Sequence, residues 1–183
     1  AYGLFVGDVL SAVCTFGKPA SNALCKGIAG ESNTQSVYEL NRLCRLDSYT
    51  KQLSKFVSWC LRDLRKNNWI IVSYADTQAN HNGYIYQACN FLYTGATKKR
   101  TDKYTEGNRH SRHYDKNAVE IYRKVRSSKH RYVYFCTKSK SLRKKWKEDL
   151  KYAVEDYPKG INKEYTLGEY METELIKVNK DII

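Results

Sequence analysis

Four apolar residues in a row, Trp69 to Val72, interrupt the alternation of the chain near its middle. A run that is apolar at every position predicts a strand covered on both faces. A polar turn is expected directly after it, at Ser73, Tyr74, Asp76, Thr77 and Gln78, and then a short helix over 83–90 with Ile85, Ala88 and Cys89 at helical spacing. Upstream, Leu53, Phe56, Val57, Cys60, Leu61 and Leu64 follow the i, i+3, i+4, i+7, i+8, i+11 pattern, the clearest helix in the chain. Asp47, Ser48 or Thr50 can cap its start.

The remaining segments follow from the same reading. Two β-rich runs, Tyr2–Val6 and Val9–Phe16, flank Gly7-Asp8 and predict a hairpin. Residues 17–30, with Pro19 and little periodicity, read as a loop. Residues 37–46 read as a strand with Glu39, Asn41 and Arg42 in it; polar groups there either pair with each other or face a cavity. A strand is expected over 91–94, a flexible basic loop over 98–116, a short helix over 117–125 and a strand over 131–136. A helix beginning at Ser141 carries Leu142, Trp146, Leu150 and Ala153 on its apolar side and ends at Pro158-Lys159-Gly160. The resulting class is α+β, with a mixed, mostly antiparallel sheet flanked by helices. Residues 1–160 form one domain, and 161–183 an added helix or tail.

Charge changes this picture, because it is uneven. Of the net +13, residues 98–151 hold 19 basic and 6 acidic side chains, whereas 152–183 hold 4 basic and 7 acidic. So basic a span suggests phosphate contact or a solvated lysine-rich surface, and the interleaved Tyr104, Tyr114, Tyr122, Tyr132 and Tyr134 favour a nucleic acid as partner. Lys98, Lys99, Arg100, Arg109 and Arg112 fall on the expected loop, and Lys144, Lys145 and Lys147 on the late helix. The six cysteines form no CxxC pair and read as reduced core thiols of a cytosolic protein. No apolar run approaches the roughly 18 residues of a membrane span. The chain opens on Ala and directly on a strand pattern, which reads as a piece lacking its native N-terminal segment.

Candidate chemistry concentrates after Val72. Ser73, Tyr74, Asp76 and His81 bring a hydroxyl, a phenol, a carboxylate and an imidazole within nine residues. Ligands of open sheets collect outside the carboxyl ends of strands. The plainer reading is a turn in which Asp76 or Asn80 caps the next helix. His110-x-x-His113 lies in basic sequence without a nearby carboxylate or cysteine pair, so no metal ligands are assigned. No Gly-x-Ser-x-Gly elbow is present.

The order hairpin, strand, long helix, strand, polar turn, short helix, strand resembles the core of GNAT-type acyltransferases. In that family the strand ending near Leu46 and the helix after it bind the pyrophosphate of acyl-coenzyme A, which implies Arg42, Thr50, Lys51 and Ser54 as donor-binding residues. The glycine-rich pyrophosphate loop of the family is missing between Leu46 and Thr50. Four motifs in order give a closer resemblance: Glu39-Leu40-Asn41-Arg42-Leu43, Ser73-Tyr74-Ala75-Asp76, His81-x-Gly83-x-x-Tyr86-Gln87-Ala88-x-Asn90-Phe91 and Tyr157-Pro158-Lys159-Gly160. Together they are similar to the Mom family of phage enzymes, which convert adenine in DNA to an N6-methylcarbamoyl-type derivative and shield phage DNA from restriction in the host cytoplasm. That resemblance implies Asp76 and Tyr74 as the first catalytic candidates, then Ser73, His81, Tyr86 and Glu39. It implies a small-molecule donor, acyl-coenzyme A or a relative, and an iron requirement for which no ligand motif is visible. Two other functions fit the chain less well. An acyltransferase acting on a protein or small amine does not need the basic span. A non-enzymatic nucleic-acid binder does not need the polar Ser73–Asp76 and Glu39–Arg42 positions.

Overall fold

A computed structural model describes residues 1–49, 53–104, 121–161 and 174–178. Strands β1 (Tyr2–Val6) and β2 (Val9–Gly17) form the expected hairpin. Val6 pairs with Val9 across a two-residue turn in which Gly7 takes φ +58°, a left-handed conformation that glycine adopts without a Cβ clash. Strand β3 (Val37–Arg45) runs antiparallel to β2, and helix α2 (Leu53–Leu64) crosses over to β4 (Trp69–Asp76), which lies parallel to β3. Helix α3 (Tyr84–Ala88) leads to β5 (Leu92–Ala96). Strands β6 (Arg100–Lys103) and β7 (Ile121–Arg126) leave the main sheet, and the chain returns through β8 (Lys129–Cys136), antiparallel to both β4 and β5. The main sheet has the order β1-β2-β3-β4-β8-β5, with β3–β4 its one parallel pair; β6, β7 and β9 (Leu175–Val178) form a second sheet of three strands.

Strand alternation divides the core. Ile71 and Ala75 of β4 face α2 and α3, with Phe56, Val57, Cys60, Leu61, Phe91 and Tyr132. Ile70 and Val72 face α1 (Asn22–Ala29) and α4 (Lys140–Asp149), with Ile28, Val133, Phe135 and Trp146. Both faces of β4 are therefore covered, which is why its sequence is apolar at consecutive positions. On α2, Phe56, Val57, Cys60, Leu61 and Leu64 are all buried, as the spacing requires.

Several expectations change here. Ser73–Asp76 is not a turn but the last half of β4, and the turn begins at Thr77. Full-length pairing with β8, from Trp69↔Cys136 to Asp76↔Lys129, carries the strand past its apolar half. Within 17–30, residues Asn22–Ala29 are a helix, capped by the Ser21 hydroxyl accepting from the Leu24 amide. Arg100–Lys103 is a strand rather than loop, and Ile121–Arg126 a strand rather than helix, because each is a ladder partner of the other. Helix α4 ends at Asp149, leaving Ala153 outside it. Within 161–183, Leu175–Val178 is a strand, not a helix. Five cysteines are buried and unpaired as expected, but Cys44 is exposed. No helix among the described residues is long and apolar enough to cross a membrane.

Candidate functional site

The site begins where two parallel strands stop pairing. The β3–β4 ladder holds three residue pairs, ending at Glu39↔Val72, although both strands continue. Immediately beyond, the buried Ser73 hydroxyl donates to the Leu40 carbonyl at 3.0 Å, a side chain standing where a ladder bond would be. Glu39 and Tyr74 line a cleft of about 300 Å³ at this parting. Lys98, Arg100, Arg126 and Lys129 line the same cleft, and Asp102 pairs with Arg100 at 3.8 Å and Arg126 at 3.4 Å, so a wall of net positive charge surrounds Glu39 and Tyr74. Ser21 and Leu24, at the N-terminal end of α1, also line it and add the positive end of the helix dipole.

The two groups at the base of this cleft are uncommitted. Neither the Glu39 carboxylate nor the Tyr74 hydroxyl has a hydrogen-bond or ion-pair partner among the described residues. Burial pushes the Glu39 carboxyl above the usual range, with Lys129 and Arg42 pulling the other way. Burial, and then the negative charge of Glu39, pushes the Tyr74 phenol up as well. Asp76 is different. Its Oδ1 accepts from Ser127 Oγ at 2.6 Å and from the Gln78 amide at 3.0 Å, and Lys129 Nζ stands 3.8 Å from Oδ2. It ends β4 and ties down the turn that follows, but the plainer reading fails in its capping, because the N-cap of α3 is Gly83 and no side chain caps it.

The other predicted residues fall on the opposite side of the sheet or away from it. Ser73 and Tyr86 lie on the α2–α3 side. The Tyr86 phenol is pushed up by burial and eased by Ser73, while Glu39 raises it through its charge. Glu39 therefore acts electrostatically on Tyr74 and Tyr86, on opposite faces of β4, at the point where the ladder ends. His81 sits in the turn after β4, its amide donating to the Asp76 carbonyl. Arg42 is exposed and donates to the Asn41 carbonyl, while Asn41 accepts from Thr15; Glu39 is the member of that polar trio that faces a cavity. Ser54 lies half-buried in the first turn of α2. Thr50, Lys51, Arg109 and Arg112 lie outside the described residues. Lys99 lines a neighbouring cleft with Thr77 and Ser127. Lys144, Lys145 and Lys147 are exposed on α4.

Sequence reasoning passed over Arg126, Lys129 and Arg131. Arg131 is buried, donates to Thr94 Oγ1 and the Thr94 carbonyl, and lies 3.4 Å from the Tyr152 ring centre, fixing the strand opposite Tyr74. The signal was present in the alternation of Lys129, His130 and Arg131 entering an otherwise apolar strand. No three His, Cys, Asp or Glu side chains converge as a metal site among the described residues.

Two of the motifs meet in space. Gln87 Nε2 donates to the Pro158 carbonyl, Tyr157 Oη to the Phe91 carbonyl, and Tyr84 Oη to the Gly160 carbonyl. Gly83 takes φ +68°, and a Cβ there would lie 2.5 Å from the Tyr132 ring, so both backbone and packing require glycine. These residues hold the α3 corner together. No curated protein sequence matches the chain. A family model matches residues 1–159 of the 183, and the chain belongs to the Mom protein family, a family of phage DNA-modifying enzymes.

Proposed function

We propose that this chain is a GNAT-like transferase that places a methylcarbamoyl-type group on the N6 amino group of adenine in duplex DNA. The observation that carries this reading is the pairing of uncommitted Glu39 and Tyr74 at the parting of β3 and β4, inside a rim of four cations. An exocyclic amine of a paired base is out of reach in the helix, so an enzyme reacting there takes the base out of the stack. Lys98, Arg100, Arg126 and Lys129 would hold the flanking phosphates, contacts that position DNA without reading its sequence. Tyr74 offers the extruded base an aromatic face.

Adenine N6 is a weak nucleophile because its lone pair is delocalised into the ring. A carboxylate that takes its proton as the bond forms helps by roughly 10²–10⁴-fold. Glu39 suits that role: it is half-buried, unpaired and proton-affine. Asp76 supports it by holding Lys129 and the β4 turn. The donor is a thioester relative of acyl-coenzyme A whose transferred group already carries the carbamoyl nitrogen, since an ordinary acyl-coenzyme A would leave a plain amide on N6; it supplies an activated carbonyl carbon on a leaving thiol. The N6–C bond forms, the C–S bond breaks, and the N6 proton passes to the Glu39 carboxylate and from it to the leaving sulfur, so the carboxylate is regenerated. Arg42 and Ser54 would take part in holding the donor, as the family resemblance implies; no cluster of three His, Cys, Asp or Glu side chains that could hold iron occurs among the described residues.

Mass spectrometry of nucleosides from DNA of cells expressing the full-length protein tests the reading. Modified adenine at levels above an empty vector is expected. Unmodified adenine beside a folded, expressed protein, with acylation of a small amine instead, would overturn it.

A further inference from the structure

A second cleft lies at the other end of the same strands. Strand β5 begins pairing at Leu92↔Val133, whereas β8 continues to Cys136, so the edge of β8 beyond Val133 has no strand partner on that side among the described residues. A cavity of about 380 Å³ occupies this edge. Its apolar floor comes from Leu92, Val133 and Phe135. Three cations stand around it: Arg65 from the turn after α2, and Arg143 with Lys147, one helical turn apart on α4. None of the three forms an ion pair with a carboxylate among the described residues. Arg65 donates one N–H to the Tyr134 hydroxyl at 2.9 Å, and its buried Nε has no partner among the described residues. Arg143 donates to the Thr137 carbonyl at 2.9 Å, which tethers its guanidinium beside the cleft.

A buried N–H donor without an acceptor is costly, and three unneutralised cations around one cavity repel each other. An anion with several oxygens relieves that repulsion, and guanidinium groups match phosphate oxygens in geometry. The cavity is of the size that takes a small ligand and joins a cationic wall to an apolar floor. We infer that this cleft, lined by Arg65, Arg143 and Lys147, is a second binding site for a phosphate ester, separate from the Glu39–Tyr74 cleft. Five residue steps along β8, roughly 17 Å of strand, separate Lys129 at the first site from Tyr134 at the second. The phosphate ester has two sources, a free nucleotide or the backbone of the bound duplex.

The test compares the full chain with Arg143→Glu/Lys147→Glu, and with Lys55→Glu/Arg62→Glu as an equal change of charge on the exposed side of α2. Calorimetry with 2′-deoxyadenosine 5′-monophosphate reads the free-nucleotide source. Anisotropy with a labelled DNA duplex across a salt series reads the backbone source. If the cleft takes a nucleotide, the monophosphate binds, and Arg143→Glu/Lys147→Glu weakens it roughly tenfold while the α2 variant does not. If it takes backbone phosphate, the monophosphate does not bind, duplex affinity falls selectively, and the salt slope drops by roughly 2. Equal losses in both variants, or no loss in either, would overturn the inference. Should the reversal lower the melting temperature, Arg143→Gln/Lys147→Gln repeats the comparison with neutral side chains.

Discussion

Glu39 and Asp76 are two carboxylates near one lysine, and their surroundings set them apart. Burial raises the Glu39 pKa in the folded chain. The folded state then holds a proton more tightly than the unfolded one, whose carboxyl titrates near about 4.3, so Glu39 makes stability fall as pH rises through the interval up to its folded value. Glu39→Gln removes that penalty. We predict a variant whose melting temperature gains on the wild type from acidic to neutral pH, yet whose DNA carries no modified adenine; retained modification would remove Glu39 from the chemistry. Asp76→Asn is predicted to lose most modification with fold and DNA affinity nearly intact, because Ser127 and Lys129 then hold the turn less firmly. Tyr74→Phe should lose less, as the ring remains. Nucleoside analysis beside melting curves checks both, and an unfolded Asp76→Asn would make its role purely structural.

At the scale of elements, α2 is the helix whose pattern and packing agree most closely. Phe56 is 6% exposed and belongs to the core cluster on the α2 side of the sheet. Phe56→Ala should cost about 3–5 kcal/mol, read from denaturant unfolding at constant slope. A near-neutral result would mean α2 is not docked through this face. The strand-to-turn boundary after Val72 behaves differently. Ser73, Tyr74 and Asp76 have turn-like composition, but eight consecutive pairs with β8 extend β4 through all of them. Local propensity lost to a long-range ladder there, and it lost again at β6 and β7, whose charged sequences become strands through a three-stranded sheet with β9.

Across the whole molecule, positive charge gathers at the two ends of the β4–β8 pair. Lys98, Arg100, Arg126 and Lys129 surround one cleft, and Arg65, Arg143 and Lys147 the other. Reversing Lys98, Lys99 and Arg100 together should weaken duplex binding about equally for all sequences and flatten its salt dependence, since phosphate contacts carry no base information. Anisotropy titrations at several salt concentrations measure this. Affinity insensitive to salt would place DNA elsewhere on the protein.

The residues themselves disclosed the α2 stripe, the apolar core of β4, the Gly7-Asp8 hairpin and the basic span, because each rests on local spacing or composition. They also marked Glu39 as a polar group out of place in a strand. Its partner in the cleft was not legible, nor were Arg126 and Lys129, because the wall joins strands far apart in sequence through the β4–β8 register. Register likewise decided which candidates share a face. Successive strand residues point to opposite sides, so Tyr74 turned toward α1 and Glu39 while its neighbour Ser73 turned toward Tyr86. A list of neighbouring polar residues became two distinct environments only when the sheet was formed.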